Sequence, residues 1–172
     1  TPEGKELYFH YPSGISSVDE DKMTYLPAIK VNPRKQGVSY TYYEGKFKSL
    51  KDTASAVKAG KGNMKEISIQ GALSEDGFAY DFRTYLKIPD KGVYLFQTRS
   101  DDGSKLYVDG QLIVDNDHDM VYKSGKTALE AGFHELRVLY YEDDRRQHLE
   151  VGFSDKHKDY ESIPGQMLYV TE

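Results

Sequence analysis

The chain contains no cysteine and no tryptophan among its 172 residues. Without cysteine it has no disulfide, no thiolate zinc site and no cysteine nucleophile. No apolar run approaches the roughly 20 residues that a helix needs to cross a bilayer, so the sequence predicts no membrane span. The net charge is −5, whereas a nucleic-acid partner requires a basic face. Composition therefore argues against a nucleic-acid partner and leaves the cellular compartment open.

Aromatic residues are plentiful in spite of the missing tryptophan. The chain has 15 tyrosines and 7 phenylalanines, residue types that are enriched in half-buried β-strands. The length suits one domain with a sizeable core. Because the chain opens with "TPEGKELYF" rather than an initiator methionine, we expect it to be a piece cut from a larger protein.

Two regions differ in their sequence pattern. Residues 1–36 are interrupted by proline and charge, and they predict an extended linker or an edge segment. Residues 37–172 alternate apolar and polar positions in short stretches, such as "FAYDFRTYLKI" (78–88), "ELRVLYY" (135–141) and "HLEVGF" (148–153). Short alternating stretches separated by turn signals are typical of an antiparallel β-sandwich or barrel. We therefore predict an all-β domain over residues 37–172.

Turn chemistry adds detail to this prediction. Asp109-Gly110 is a strong signal for a two-residue hairpin, and "SDDG" (100–103) predicts a turn that joins two further strands as a hairpin. The segment 52–60, "DTASAVKAG", predicts one short helix because of its alanine content.

The adjacent carboxylates of Asp101 and Asp102 allow two interpretations. Aspartate followed by glycine is ordinary turn chemistry, because the side chain bonds nearby backbone groups and glycine accepts a positive φ. Alternatively, the two carboxylates hold a hard cation such as calcium, which prefers oxygen ligands. The residues alone leave both interpretations open.

Other candidate motifs are incomplete. The run "DNDHD" (115–119) resembles the start of a helix-loop-helix calcium loop, but Met120 replaces the required glycine and Lys126 replaces the closing glutamate. The stretch "HELRV" ends in Val138 where a zinc protease helix has its second histidine, so His134 is interpreted as a residue that begins a strand. No GxSxG elbow is present. We therefore predict that the isolated domain is not an enzyme.

A family resemblance follows from "GVYLFQTRSDDGSKLYVDGQLIVDN" and "LEAGFHELRVLYYE". These stretches resemble the anthrax protective-antigen domain family (PA-fourteen), and the resemblance extends from about Gly37 to Phe153. It implies a β-sandwich with barrel-like character. In the lectins of this family, the pair that matches Asp101-Asp102 is joined by a cis peptide and binds calcium, which holds vicinal sugar hydroxyls.

The resemblance also implies a set of site residues. The lectins take a further calcium ligand, usually asparagine, from the loop that reads "EDDRRQH" (142–148) here, so acids of this loop replace it. The implied metal ligands are Asp101, Asp102, Glu142, Asp143 and Asp144. The implied sugar contacts are Asp101, Asp102, Tyr141 and Arg145, with Tyr122 as the other candidate for a stacking platform.

The ends of the domain, "GVSYTYYEGKFKSL" and "IPGQMLYV", resemble modules attached to hexosaminidase-type glycoside hydrolases of gut Bacteroidetes. This implies a periplasmic, cell-surface or extracellular bacterial protein. The resulting prediction is a non-catalytic, calcium-dependent carbohydrate-binding module of a glycan-degrading protein. The alternative is a structural module that braces the catalytic domain of its parent protein and has no ligand of its own.

Overall fold

The computed structural model describes residues 22–117, 120–155 and 159–171. Within these ranges the chain forms twelve strands and two short 3₁₀ helices, Leu50–Ala54 and Gly165–Met167. The strands are β1 (Lys35–Gln36), β2 (Val38–Glu44), β3 (Val57–Met64), β4 (Phe78–Ile88), β5 (Gly92–Asp101), β6 (Gly103–Val108), β7 (Gln111–Asn116), β8 (Lys123–Leu129), β9 (Gly132–Glu142), β10 (His148–Asp155), β11 (Glu161–Ser162) and β12 (Leu168–Val170).

The strands are arranged in two sheets. The large sheet has the order β1-β12-β4-β9-β6-β7, with β2 pairing β4 and β3 pairing β2, and the small sheet has the order β11-β10-β5-β8. Pairing between these strands is antiparallel. The predicted all-β antiparallel sandwich is therefore confirmed.

The core lies between the two sheets and follows the alternation of the sequence. β4 and β9 pair along their whole length, from Phe78↔Glu142 to Ile88↔Gly132. Their inward residues, among them Phe82 and Val138, are fully buried, and Phe96 of the small sheet joins the same cluster. Burial of each such side chain contributes about 1.5–3 kcal/mol, so this alternation is the main source of stability.

The short helix predicted at 52–60 is confirmed only in its first residues, within the 3₁₀ helix Leu50–Ala54. The helical structure is a short 3₁₀ helix that ends at Ala54. Ser49 caps its N-terminus, and the Ser49 hydroxyl accepts a hydrogen bond from the Lys51 N–H. From Val57 the chain is strand β3, which pairs with β2. Alanine content favours a helix only weakly, and pairing with a neighbouring strand overrides it.

The two predicted hairpins have different outcomes. Asp109 and Gly110 have φ values of 49° and 79°, and they join β6 to β7 in a hairpin as predicted. At Asp101-Asp102 the chain instead leaves the small sheet at the end of β5 and enters the large sheet at the start of β6. The hairpin prediction at this position is therefore wrong, because consecutive strands here belong to different layers.

The segment before β2 packs against the sandwich where the structure describes it. Leu26 forms a parallel bridge with Leu129, and the Ile29 N–H donates to the Phe133 carbonyl at 3.0 Å. β1 then pairs with β12. Residues 1–21 of the predicted linker lie outside the described residues. Within the described ranges, no helix has the length and apolar character needed to span a membrane.

Candidate functional site

The Asp101-Asp102 pair lies at one end of the sandwich, where the chain crosses between the sheets. The peptide bond between the two residues is cis, as the family resemblance implies. The Asp102 N–H donates to the Tyr141 carbonyl at 3.2 Å, and the Tyr140 hydroxyl donates to the Asp101 carbonyl at 2.7 Å. The end of β9 therefore holds the backbone of the pair in place.

The loop after β9 lies beside this pair. The Asp143 N–H donates to Asp102 Oδ2 at 2.7 Å. Asp101, Asp102 and Asp144 line one exposed pocket together with Arg145 and Arg146. The structure thus brings the aspartate pair together with two predicted members of the loop, Asp144 and Arg145.

Glu142 differs from its neighbours in the loop because it still belongs to β9. Strand alternation turns its side chain to the core side, where the residue has no exposed surface. Glu142 Oε2 lies 3.3 Å from the Tyr140 hydroxyl, and Oε1 is buried with no hydrogen-bond partner. Burial, followed by the charges of Asp102 and Asp101, raises the pKa of Glu142 to about 8.

The acids at this end of the sandwich repel one another. Burial raises the pKa of Asp102, and the Asp143 N–H opposes this effect by stabilising the carboxylate. The charges of Asp101, Asp143 and Asp144 raise that pKa further. A positive ion bound among these acids would relieve this repulsion, because an opposite charge nearby favours ionised carboxylates.

A row of polar side chains on the outer face of the small sheet continues from the pair. Asp101 is opposite His148, and Arg99, two residues earlier on the same face, is opposite Glu150. The Tyr122 hydroxyl donates to Glu150 Oε2 at 2.8 Å, and the Arg99 guanidinium lies 5.1 Å from the centre of the Tyr122 ring.

Sequence reasoning missed Arg99, His148 and Glu150 in this row. Alternation along "QTRSD" and "HLEVGF" predicts that each of them faces outward. Only the strand register places them side by side next to Asp101.

Tyr141 does not fit the role of a sugar contact that was predicted for it. Its side chain points to the outer face of the large sheet, is 2% exposed and packs against Phe47, with ring centres 6.2 Å apart. Its hydroxyl donates to the Lys48 carbonyl at 3.2 Å. The segment between β2 and β3 therefore covers this ring. Tyr122 is 37% exposed, so it is the tyrosine of the two that a ligand can reach.

The donor chemistry of the site fits a hard cation. Three carboxylates line the pocket, and the nearby Glu142 Oε1 has no hydrogen-bond partner. Asp143 contributes its N–H to Asp102, and its carboxylate is absent from the pocket lining. Among the described residues, no three acidic, histidine or cysteine side chains form a preassembled metal cluster. A calcium ion bound in this pocket would be held by Asp101, Asp102 and Asp144, with water or a ligand completing its six to eight positions.

Comparison with known proteins gives a family match. The family model described as "PA14 domain" matches residues 34–166. One curated relative, anti-sigma-I factor RsgI3 of Acetivibrio thermocellus, is 33% identical over 82 residues, which are 46% of this chain and 13% of that protein. The chain thus corresponds to a small part of that relative.

The solved structures that share the fold include two adhesin domains. A PA14 sugar-binding domain from an RTX adhesin is 18% identical with a TM-score of 0.64, over 79% of this chain and 99% of that domain. The A domain of epithelial adhesin 6 from Candida glabrata, solved with Galβ1-3GlcNAc, is 11% identical with a TM-score of 0.65, over 81% of this chain and 89% of that domain. At these identities the likeness shows the fold alone.

Proposed function

Because this chain belongs to the PA14 domain family, we propose that it is a non-catalytic carbohydrate-binding module with its sugar site at the Asp101-Asp102 end. The observation that carries the proposal is the shared pocket of Asp101, Asp102 and Asp144 at the sheet crossing. The sugar-binding domain of the RTX adhesin and the adhesin solved with a disaccharide have the same fold, which supports a carbohydrate as the ligand.

In this proposal the pocket holds a calcium ion. Asp101, Asp102 and Asp144 supply carboxylate oxygens, and sugar hydroxyls occupy open positions around the ion. The exposed side chain of Arg145, which lines the same pocket, donates hydrogen bonds to the sugar. The exposed ring of Tyr122 offers an apolar face to a second sugar unit along the outer face of the small sheet.

The setting of the module in its parent protein is also a proposal. We infer an exported bacterial protein that acts on glycans, at the cell surface or in the periplasm. The anti-sigma-I factor relative, of which the chain spans 13%, indicates that related sequence also occurs in larger proteins of another kind. The domains that flank this chain in its full-length protein would test the assignment, and a flanking glycoside hydrolase domain is the expected finding.

Calorimetric titration tests calcium binding. We expect CaCl₂ to bind the wild-type chain and raise its melting temperature, whereas MgCl₂ does so weakly because it demands a smaller octahedral site. Asp101→Asn should abolish the response. Asp115→Asn is the matched control, because it removes an exposed aspartate that pairs with Lys105, and neither residue lines the pocket.

A glycan array with and without EDTA tests the sugar. The array should include Galβ1-3GlcNAc, the ligand of the related adhesin. Chelator-sensitive binding is the expected result. An absence of calcium binding would refute the proposed ion, and an absence of binding to every glycan would favour the alternative of a structural module that contacts the rest of its parent protein.

A further inference from the structure

The large sheet has a groove on its outer face, away from the acidic pair. Strands β2, β3, β4, β9 and β12 form it, its volume is about 580 Å³, and it shares no lining residue with the pocket of Asp101 and Asp102. Volumes of about 300–1,000 Å³ are typical of ligand sites. The groove is thus large enough for a ligand of its own.

Arg83 lines this groove and lies directly opposite a second arginine, Arg137, which is not itself a lining residue. Arg83 on β4 is the register partner of Arg137 on β9, and like charges in opposed positions destabilise a sheet. One carboxylate lies between them. Arg137 makes two bonds to Asp81, Nε to Oδ1 at 2.9 Å and Nη2 to Oδ2 at 3.0 Å, and Arg83 Nη2 lies 3.2 Å from the same Oδ2. Asp81 can neutralise only one of these two positive charges.

The wall of the groove adds a further cation. Lys61 on β3 pairs with Thr41, which in turn pairs with Asp81, so the three residues form one row across the sheet. Among the described residues, no hydrogen bond or ion pair engages the Lys61 side chain. Glu135 is the second acid of the lining. The lining therefore has two cations, Lys61 and Arg83, and two carboxylates, Asp81 and Glu135. Because Arg137 already holds Asp81 through two hydrogen bonds, Glu135 is the one lining carboxylate that faces Lys61 and Arg83 without an arginine partner from outside the groove.

The opposite wall is aromatic. Tyr85 and Tyr169 are register partners on β4 and β12, and both line the groove. The Tyr169 ring packs edge to face against Phe133 with ring centres 5.3 Å apart, which fixes its orientation. Tyrosine combines an apolar ring with a hydroxyl group, and both can contact a sugar ring. Thr41 and Asn63 supply uncharged hydrogen-bonding groups on the cationic side.

We propose that this groove is a second ligand site, which binds a segment of an acidic oligosaccharide. A carboxylate or sulfate of the sugar contacts Lys61 and Arg83, while sugar rings lie against Tyr85 and Tyr169. Charge complementarity selects the acidic ligand, and the tyrosine wall opposite short polar side chains favours a sugar over a peptide. The site requires no metal ion, so it does not depend on the proposed calcium site.

Isothermal titration with two acidic probes tests this site. The probes are an oligogalacturonate, which carries carboxylates, and a heparin-derived hexasaccharide, which carries sulfates as well. The carboxyl-reduced oligogalacturonate serves as the uncharged matched ligand. We expect at least one acidic probe to bind, the reduced ligand to bind at least about tenfold more weakly, and added salt to weaken binding.

Variants of the chain locate the binding. Lys61→Gln should weaken binding about tenfold, the effect of one lost charge-assisted hydrogen bond. Arg83→Gln, whose fold is verified by circular dichroism, should have an effect of similar size. Lys126→Gln is the control, because it removes one exposed charge from β8 in the small sheet and should leave affinity unchanged.

Several results would overturn the proposal. One such result is that neither acidic probe binds, and another is that the carboxyl-reduced ligand binds with the same affinity as the acidic one. The proposal would also fail if Lys61→Gln kept the wild-type affinity, or if a polyglutamate peptide bound more tightly than the sugars. Binding that survives EDTA and Asp101→Asn would separate this groove from the acidic pocket. Loss of binding under those two conditions would assign the ligand to the acidic pocket and would refute a second site.

Discussion

Strand β6 has an Asp-Gly dipeptide at each end, and the two aspartates have different environments. At one end, Asp109 Oδ2 lies 2.6 Å from Nδ1 of the buried His134, and Oδ1 accepts the Glu135 N–H at 2.7 Å. At the other end, Asp102 accepts one backbone N–H, that of Asp143, and its remaining neighbours include further carboxylates. The carboxylate of Asp109 is thus hydrogen-bonded within the protein, whereas the carboxylate of Asp102 is repelled by neighbouring carboxylates.

This difference distinguishes a structural aspartate from one that is available to a ligand. His134 has both ring nitrogens within hydrogen-bond distance of acceptors, since Nε2 lies 2.8 Å from the Glu130 carbonyl. Burial by itself lowers the pKa of His134, but the bonds to Asp109 and to Glu130 outweigh it, so the pKa is raised. The Asp109 end is therefore a closed ion pair, whereas the Asp102 end has an excess of negative charge that a cation can neutralise.

The largest expected effect comes from removing the Asp109 carboxylate from its pair with His134. Asp109→Ala removes two hydrogen bonds and leaves a buried histidine without its carboxylate, so we expect a loss of about 2–3 kcal/mol in the free energy of unfolding. Asp102→Ala should cost less than about 1 kcal/mol, because one hydrogen bond is lost and like-charge repulsion is relieved. Urea unfolding at pH 6 measures both. Equal losses in the two variants would show that the two ends do not differ in this way.

The next effect is a pH dependence of the free energy of unfolding, which arises from Glu142 at the Asp102 end of β6. Because the pKa of Glu142 is raised to about 8, the folded state holds a proton that the unfolded state releases near pH 4.5. The free energy of unfolding should therefore fall as pH rises from about 4.5 to 8. Glu142→Gln should remove most of this fall in urea titrations with EDTA present.

His134 is expected to leave a residual slope in that variant. A raised histidine pKa stabilises the fold fully below the unfolded value of 6.5, and the stabilisation is lost as pH rises through the folded pKa. The slope that remains in Glu142→Gln should therefore lie above pH 6.5 and disappear in the double variant with His134→Gln. A wild-type profile that is flat between pH 5 and 8 would contradict both assignments.

The smallest effect is expected for Asp102→Asn. The amide oxygen can still accept the Asp143 N–H, and one of the repelling charges is removed. With EDTA present, the variant should be as stable as the wild type or more stable by about 0.5 kcal/mol. With CaCl₂ present, the order should reverse, because the wild type alone gains the free energy of ion binding. Thermal melts under the two conditions measure this, and an unchanged order would argue against calcium at this end.

Much of the fold can be predicted from local pattern. The alternation in residues 78–88 and 135–141 corresponds to the long pair β4 and β9, since side chains of a strand alternate between two faces whatever its partners are. The Asp109-Gly110 hairpin follows from residues that accept positive φ. The short helix could not be excluded in this way, because the pairing of Val57–Met64 with β2 is a contact between separate segments.

The candidate site was predictable in part. The family resemblance named Asp101, Asp102, Asp144 and Arg145, and the structure brings these four residues to one pocket. The sequence pattern does not show that β9 continues through Glu142. Because the strand continues, the Glu142 side chain turns inward. The pattern also does not show that the segment carrying Phe47 covers Tyr141. Both facts depend on where a strand ends and on what packs over it.

Alternation and turn chemistry act between near neighbours, so they are enough to predict the class of fold, the positions of most strands and the identity of the acidic pair. Which carboxylates meet depends on the packing of distant segments. This packing separated β5 from β6 into different sheets, paired Asp109 with His134, and placed Arg83 opposite Arg137. These relations arise from strand register and layer packing between distant segments, and the charge of a site depends on them.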